Sequence, residues 1–240
     1  MTAGSITDAV FGVLEDWTQP LLTHYDHESG ERTELSGATL GNWAAKSANF
    51  FVDEAGFDSG DILLVDLPEH WQTVAILLGA WWAGARVVLP EDDPDPTTVL
   101  AVVTARDRID HYDDVDEVLV ASLDPFALGV RDLPIGVTDF ATAVRAHGDR
   151  YSPRTAARGP VLDDATTEVV LAGAAAAAQA DGVGAGDRVL TLRPWRATSE
   201  IVTNLLAPLV AGASLITVAH ADEAKITDLA STERASVVLR

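Results

Sequence analysis

The stretch from Phe57 to Pro90 constrains the fold more than any other part of the chain. A short apolar run at Ile62–Val65 predicts a strand. The residues from Trp71 to Trp82 are apolar on almost every face, which is typical of a buried helix. Gly84 ends that helix, and a second apolar run follows at Val87–Leu89. The pattern predicts a βαβ unit with two parallel strands and a right-handed connection.

A second copy of this pattern occupies Gly182–Val218. Both stretches have a glycine–aspartate pair before the first strand, a proline after it, and an alanine–glycine–alanine turn before the second strand. The matched positions are Gly60-Asp61 and Gly186-Asp187, Pro68 and Pro194, and Ala83-Gly84-Ala85 and Ala211-Gly212-Ala213. We therefore predict an α/β protein with two related, Rossmann-like βαβ halves and mainly parallel sheets.

The remaining hydrophobic patterns predict further helices and strands around the two units. Helices are expected at Thr7–Trp17, Leu40–Glu54, Thr138–Ala146, Thr166–Ala180 (capped by Asp163-Asp164) and Ala221–Glu233. Strands are expected at Leu21–Tyr25 and Thr33–Leu35 (as a hairpin), Val99–Thr104, Glu117–Ser122 and Ala235–Leu239, and a loop at Leu123–Val137. The segment His147–Pro160, rich in Gly, Pro and Arg, is the expected boundary between two halves that pack as one compact unit. These halves are residues 1–150, with the N-terminal helix and hairpin, and the shorter residues 151–240.

Composition excludes several classes of partner. The chain has 16 basic and 37 acidic residues and a net charge of −21, which disfavours nucleic acids and anionic membranes as partners. It has no cysteine, so disulfides and thiolate sites are excluded. The N-terminus has no basic segment before its apolar residues, and no apolar run is long enough to cross a membrane. We expect a cytoplasmic protein.

The order and spacing of these motifs are similar to a known superfamily. The residues that carry the likeness are Tyr25–Glu31, Leu35-Ser36, Thr39-Leu40, Gly60-Asp61, Pro68 and Trp82–Ala85, then Gly186–Leu190, Pro194, Leu205–Leu215 and Thr232–Val238. In this order they resemble the N-terminal part of the adenylate-forming superfamily, which includes AMP-binding and acyl-CoA synthetase-like enzymes. The chain looks like a truncated, short actinobacterial form of that domain.

The chain departs from the superfamily where its chemistry is expected. The resemblance implies a Ser/Thr/Gly-rich phosphate loop with a lysine between Asp163-Asp164 and Gly186, but an alanine-rich stretch with no lysine stands there. Where the family has a histidine after Leu-Pro, Leu192–Arg196 has none. The family's adenine pocket, metal-binding carboxylate and C-terminal catalytic lysine have no counterpart after the second unit. No catalytic residue is carried over, no metal site is predicted, and neither ATP nor AMP is expected as a cofactor.

Three functions are compatible with these observations. The first is a non-catalytic relative that binds a small molecule or a protein partner. The second is an acyl-adenylate-forming ligase that is active only with a partner chain or through an ATP site of another kind. The third is a structural module that forms a homodimer through an apolar face or through the edge of the final strand.

The candidate ligand-binding residues follow the first strand of each βαβ unit. Ligands of open α/β sheets bind outside the carboxyl ends of the strands. His70 and Trp71 occupy this position in the first copy, and Trp195 and Arg196 occupy it in the second, with Arg193 as a possible anion contact. The alternative is that these residues only pack the helix starts.

Two other motifs favour structural interpretations. His24 and His27 with Asp26 suggest a metal site, but no third ligand is evident and a solvated hairpin turn is favoured. The glycines of Gly182–Gly186 resemble a dinucleotide fingerprint, but they follow a helix and open a strand, which is the reverse of that motif. We predict a turn there.

Overall fold

The computed structural model describes residues 4–153 and 159–240, which form two mostly parallel sheets with helices. The strands are β1 Pro20–Asp26, β2 Glu31–Ser36, β3 Ile62–Asp66, β4 Arg86–Val88, β5 Val99–Thr104, β6 Glu117–Val120, β7 Val137–Asp139, β8 Pro160–Leu162, β9 Ala165–Thr166, β10 Arg188–Thr191, β11 Ser214–Ala219 and β12 Val237–Leu239. The helices are α1 Ile6–Gly12, α2 Gly37–Asp53, α3 Trp71–Ala83, α4 Phe140–Val144, α5 Thr167–Asp181, α6 Thr198–Glu200, α7 Ala207–Val210 and α8 Glu223–Thr232. A π-helical segment, Ile201–Leu206, joins α6 to α7. The predicted α/β class with mainly parallel sheets is confirmed.

The two sheets have the same arrangement around each predicted βαβ unit. One sheet has the order β7-β6-β5-β3-β4-β8-β9 and the other β12-β10-β11-β1-β2. In the first, β3 pairs in parallel with β4 on one side and with β5 on the other. In the second, β10 pairs in parallel with β11 and with β12 in the same way. Each sheet ends in one antiparallel hairpin, β8–β9 or β1–β2. The predicted duplication is therefore present in the topology.

The duplication extends to individual backbone hydrogen bonds. The Gly60 N–H donates to the Gly84 carbonyl over 2.9 Å, and the Gly186 N–H donates to the Gly212 carbonyl over 3.0 Å. Gly84 and Gly212, which end the two helical segments, have φ angles of 86° and 81°. An L-residue with a side chain is strained at such an angle, which explains why both copies have glycine there.

The turn before each first strand is also the same in both copies. The Asp61 carboxylate accepts a hydrogen bond from the Asp58 N–H over 2.7 Å, and the Asp187 carboxylate accepts one from the Gly184 N–H over 2.8 Å. An aspartate that closes its own turn in this way needs no ligand. The glycines before Asp187 therefore form the predicted turn into β10, and no helix starts from them.

The central helix α3 is buried on nearly all sides, as its composition predicts. It crosses α2 at a very short distance, with Gly79 at the crossing. A Cβ atom built on Gly79 would lie 2.4 Å from the Ser47 Cβ and 2.8 Å from the Ala44 carbonyl oxygen. Only a glycine allows the two backbones to approach so closely.

Two local predictions are wrong, and a third is wrong only at its last residue. Asp163-Asp164 does not cap α5; these residues form the turn between β8 and β9, where Arg86 binds Asp164 over 2.8 Å. The expected loop at Leu123–Val137 gives its last residue to β7, which pairs with β6. The helix expected at Thr7–Trp17 ends at Gly12, because the chain turns back and stacks Trp17 on Phe11 with ring centroids 5.2 Å apart.

The helical segment of the second copy is distorted where that of the first is regular. Pro208 lies inside it, and proline has no N–H and clashes with the carbonyl of the residue four positions earlier. The wider π-helical turn precedes Pro208 and accommodates this clash.

Each sheet combines strands from both predicted halves of the chain. The hairpin β1–β2, from the first predicted half, pairs with β11, and β8, from the second, pairs with β4. The expected boundary lies partly outside the described residues, because residues 154–158 are not described. The division into residues 1–150 and 151–240 stays a prediction. Among the described residues, no helix has the length and apolar character needed to cross a lipid bilayer.

Candidate functional site

A cleft of about 530 Å³ opens at the carboxyl ends of β3, β4 and β5. The chain runs from β3 through α3 to β4 on one side, and later returns to β5 on the other side of β3. This is a topological switch point, where the strand ends diverge and leave a crevice for ligands. The cleft is lined by residues 65–69, which follow β3, by residues 89–91, by Ala105, Asp107, Arg108 and Leu123, and by Trp195 and Arg196 from the second copy.

Equivalent positions of the two copies meet in this cleft. The Trp195 N–H donates to a carboxylate oxygen of Glu69 over 3.0 Å, and the Arg196 Nε lies 4.0 Å from the same oxygen. The Trp195 side chain is buried, whereas 77% of the Arg196 side chain is exposed. The Glu200 carboxylate fixes this loop by accepting hydrogen bonds from the N–H groups of Arg196 and Ala197 over 2.7 and 3.1 Å. Arg196 is therefore a cation on a fixed backbone, available to a ligand.

The opposite wall of the cleft is built around Asp66, the last residue of β3. Its Oδ2 accepts a hydrogen bond from the Tyr112 hydroxyl over 2.5 Å and lies 2.5 Å from the Arg108 Nε. Burial and the adjacent Asp66 carboxylate raise the pKa of Tyr112, which stays a neutral donor. Asp66 is itself buried, so these contacts hold Arg108 at the edge of the cleft.

The charges that line the cleft are mostly negative. Four carboxylates, from Asp66, Glu69, Glu91 and Asp107, face two guanidinium groups, from Arg108 and Arg196. Since Asp66 binds Arg108, Arg196 is the only weakly paired cation among the described residues that line the cleft. A triphosphate needs several cations or a nest of backbone N–H groups, and this lining favours a ligand with little negative charge.

A cleft of about 290 Å³ lies on the other side of Glu69 and Trp195, and these two adjoining clefts are called the smaller and the larger cleft; a separate one of about 690 Å³ lies at the amino ends of β10 and β11. The smaller cleft opens at the carboxyl ends of β10 and β11 and includes Arg193. The Arg193 guanidinium forms two hydrogen bonds to Asp181, of 2.6 and 3.1 Å. The Arg193 guanidinium, the predicted anion contact, is therefore already paired with a carboxylate of the protein.

Three of the five predicted ligand-binding residues line clefts, and two lie in the interior. Trp195 and Arg196 line the larger cleft, and all three residues of the second copy line the smaller one. His70 and Trp71 lie in the interior, with 5% and 2% of their surfaces exposed. Trp71 packs edge-on against Trp43, with ring centroids 5.4 Å apart. No observation tests a ligand role for any of the five, which stays a prediction.

His70 belongs to a buried group that sequence spacing did not reveal. Its Nδ1 accepts the Gln72 N–H over 3.1 Å, which caps α3. Its ring lies 4.8 Å from that of His24, and its Nε2 lies 3.5 Å from the Glu31 carboxylate. Burial lowers the pKa of His24 to about 4 and that of His70 to about 3, and it raises the pKa of Glu31. Both imidazoles are neutral at neutral pH.

His27, which forms the sequence motif with His24, lies outside this group. The Nδ1 of His27 accepts the Asp222 N–H over 2.9 Å, outside this group. His24 and His70 are distant in the sequence, and only the topology of the fold brings them together.

The segment expected to hold the phosphate loop is fully described from Gly159 to Gly186. It consists of β8, the tight Asp163-Asp164 turn, β9, α5 and the turn into β10. The helix α5 starts directly after β9, and its N-cap, Thr166, makes no side-chain capping hydrogen bond. This stretch therefore has no extended loop whose N–H groups could surround a phosphate.

Comparisons with known proteins identify the family. A protein of Mycobacterium tuberculosis (strain ATCC 25618 / H37Rv), described as a TIGR03089 family protein, is 43% identical over an alignment of 244 positions that covers 99% of this chain and 97% of that protein. The chain belongs to the TIGR03089 family. No protein-family model matches the sequence.

Solved structures with the same fold are acyl-CoA synthetases and ligases. An acyl-CoA synthetase from Brucella canis has a TM-score of 0.79 at 19% identity, over 98% of this chain and 46% of that one. MatB from Rhodopseudomonas palustris has a TM-score of 0.75 at 17% identity, over 99% and 49%. The anthranilate CoA ligase AuaEII has a TM-score of 0.73 at 14% identity, over 98% and 48%. This TIGR03089 family member therefore has the fold of the N-terminal part of adenylate-forming enzymes, as the sequence predicts, and spans about half the length of those chains.

Proposed function

We propose that this TIGR03089 family protein is a non-catalytic relative of acyl-CoA synthetases that binds a small molecule in the larger cleft. The observation that carries the proposal is the position of this cleft at the switch point between β3 and β5, with Arg196 at its edge. The solved structures with this fold include an anthranilate CoA ligase in complex with anthranoyl-AMP. A small acyl compound is therefore the first class of ligand to consider.

Two features support binding without adenylation. The stretch from Gly159 to Gly186 has the α5 helix where a phosphate loop was expected. The cleft lining has four carboxylates, which repel a triphosphate, and one weakly paired cation, which suits a single carboxylate or a neutral acyl group. We infer that the cleft retains acyl recognition and has lost ATP binding.

The proposal is tested by thermal shift and calorimetry with ATP, AMP, a panel of carboxylic acids and acyl-CoA compounds. We expect an acid or an acyl compound to raise the melting temperature and ATP to leave it unchanged. Arg196→Ala should remove the shift, while Arg150→Ala, at an exposed arginine outside both clefts, should retain it. No shift with any compound, or equal shifts in both variants, would contradict the proposal.

A homodimer is a second candidate, favoured by the final strand. Among the described strands, β12 ends its sheet, and Val238 on it is 40% exposed. An exposed edge strand pairs readily with another copy. Light scattering would give twice the monomer mass for such a module.

A further inference from the structure

Three side chains from separate elements place potential metal ligands together beside Glu69. His24 lies on β1, Glu31 begins β2 and His70 precedes α3. One ligand atom from each lies within 4.8 Å of the other two. His24 and His70 are 1% and 5% exposed, and the Glu31 side chain is 7% exposed. The group is therefore shielded from bulk water and lies between the two sheets.

The charge of this group is not balanced. The Glu31 carboxylate accepts a hydrogen bond from the Thr33 hydroxyl over 2.7 Å, and its nearest ionisable partner is His70, whose Nε2 lies 3.5 Å away. In the described part of the chain, no lysine or arginine forms an ion pair with it. Asp26 and Asp124 add negative potential at the same place. A buried carboxylate without a cation is costly, so the site as it stands favours the uptake of a positive ion.

The two imidazoles have different hydrogen bonds. The His24 Nδ1 lies 2.9 Å from the Thr217 hydroxyl, which leaves the Nε2 for a ligand. The His70 Nε2 is buried, lies 3.5 Å from the Glu31 carboxylate and has no hydrogen-bond partner among the described residues. An orphaned, deeply buried nitrogen beside an unbalanced carboxylate is an independent sign that something binds here.

We propose that His24, Glu31 and His70 bind a divalent transition-metal ion of the zinc class. Two imidazoles and one carboxylate are a donor set that zinc accepts, with a position left for water. Thr217 forms a hydrogen bond with His24 and Thr33 donates one to Glu31, as outer hydrogen-bond partners do in metal sites. The ligand atoms, which lie within 4.8 Å of one another, must move closer together to bind one ion.

The cap of α3 opposes this binding. Because the His70 Nδ1 accepts the Gln72 N–H, the neutral ring carries its proton on the Nε2, which faces the site. Metal binding at the Nε2 moves that proton to the Nδ1 and breaks the cap. One capping hydrogen bond is much weaker than a metal–imidazole bond, so the metal prevails.

Such an ion would connect the hairpin β1–β2 of one sheet to the loop between β3 and α3 of the other. That loop includes Glu69, which contacts Trp195 in the larger cleft. The bound ion would therefore fix one wall of the cleft. This inference does not depend on what the cleft binds.

Calorimetric titration of zinc chloride into the metal-depleted, untagged full chain tests the proposal, with cobalt(II) visible absorption as a second readout. We expect one equivalent to bind and to raise the melting temperature. His70→Asn removes the ligand but retains a favoured capping residue, and Glu31→Gln removes the charge. Each should weaken binding by at least about tenfold. His111→Asn, at an exposed histidine outside the group, should bind as the wild type does.

The proposal is overturned by the absence of zinc binding and cobalt absorption in the wild type. It is also overturned if His70→Asn and Glu31→Gln bind zinc as tightly as the wild type, or if His111→Asn alone loses binding. Circular dichroism of each variant confirms that the helices are retained.

Discussion

The buried carboxylate of Glu233 gives a prediction whose magnitude follows from the structure. Glu233 follows α8 and is 9% exposed. Its carboxylate accepts hydrogen bonds from Tyr25 of β1 and from Arg188 of β10, and the Arg32 Nε of β2 donates to it over 2.9 Å. The network therefore fastens the chain after α8 to three strands of one sheet. We expect Glu233→Gln, which retains the shape and removes the charge, to destabilise the fold.

The pKa of Glu233 gives the size of this effect. Burial raises the pKa, but the hydrogen bonds from Tyr25, Arg188 and Arg32 outweigh it and lower the pKa from 4.5 to about 2. Each pKa unit corresponds to about 1.4 kcal/mol, so the charged form adds about 3 kcal/mol to the free energy of unfolding at neutral pH. Because the folded-state pKa is depressed, this contribution is complete above pH 4.5 and is lost as the pH falls to about 2.

Urea unfolding of wild type and Glu233→Gln between pH 7 and pH 2.5 measures this contribution. We expect a difference of about 3 kcal/mol at pH 7 that becomes much smaller by pH 2.5. The control is Glu223→Gln at the start of α8, whose partner Arg240 is also an arginine but is 55% exposed. That exposed pair should contribute at most about 1 kcal/mol.

Two results would refute the reasoning. One is a difference below about 1 kcal/mol at pH 7, which would place Glu233 with ordinary surface pairs. The other is a difference that persists unchanged at pH 2.5, which would show that the charge of Glu233 is not its source.

Three further predictions concern packing, the cleft wall and the final strand. Gly79→Ala should lower the free energy of unfolding by about 1–3 kcal/mol, because its Cβ would lie 2.8 Å from the Ala44 carbonyl oxygen. Gly12→Ala, whose Cβ would have no neighbour within 4 Å, should have little effect. Urea unfolding of the two variants measures the difference. Asp66→Asn should lower the raised pKa of Tyr112, measured by ultraviolet titration, and an unchanged titration would show that burial alone raises it. If β12 mediates a dimer, Val238→Lys should give a monomer in light scattering, and an unchanged mass would exclude that edge.

The βαβ duplication could be predicted because its signals are local. Gly84 and Gly212 are required by their backbone angles, and Asp61 and Asp187 close turns within three residues. Such positions depend on the chain immediately around them, so the sequence alone contains the information.

Elements that depend on contacts between distant parts of the chain are harder to predict from the sequence. Asp163-Asp164 has the composition of a helix cap, but pairing of β8 with β4 places it in a hairpin turn. The π-helical segment results from Pro208 within a helix whose burial holds it in place. In each case tertiary packing outweighs the local preference.

The candidate site was partly predictable. The rule that ligands bind at the carboxyl ends of parallel strands led to Trp195 and Arg196, which do line the cleft. It could not show that Arg193 binds Asp181, nor that Asp66, Arg108 and Tyr112 meet. A charged residue at the end of a predicted strand, such as Asp66, indicates a candidate site residue. Its partners Arg108 and Tyr112, however, depend on the order of the strands in the sheet.

Pyrophosphate exchange tests the central claim of binding without adenylation most directly. The full chain is incubated with ATP, labelled pyrophosphate and a mixture of carboxylic acids, and the label that enters ATP is measured. The structure of the stretch from Gly159 to Gly186 and the acidic cleft predict no exchange above background. Exchange that depends on the added acids and is lost in Arg196→Ala would contradict the proposal and identify a ligase.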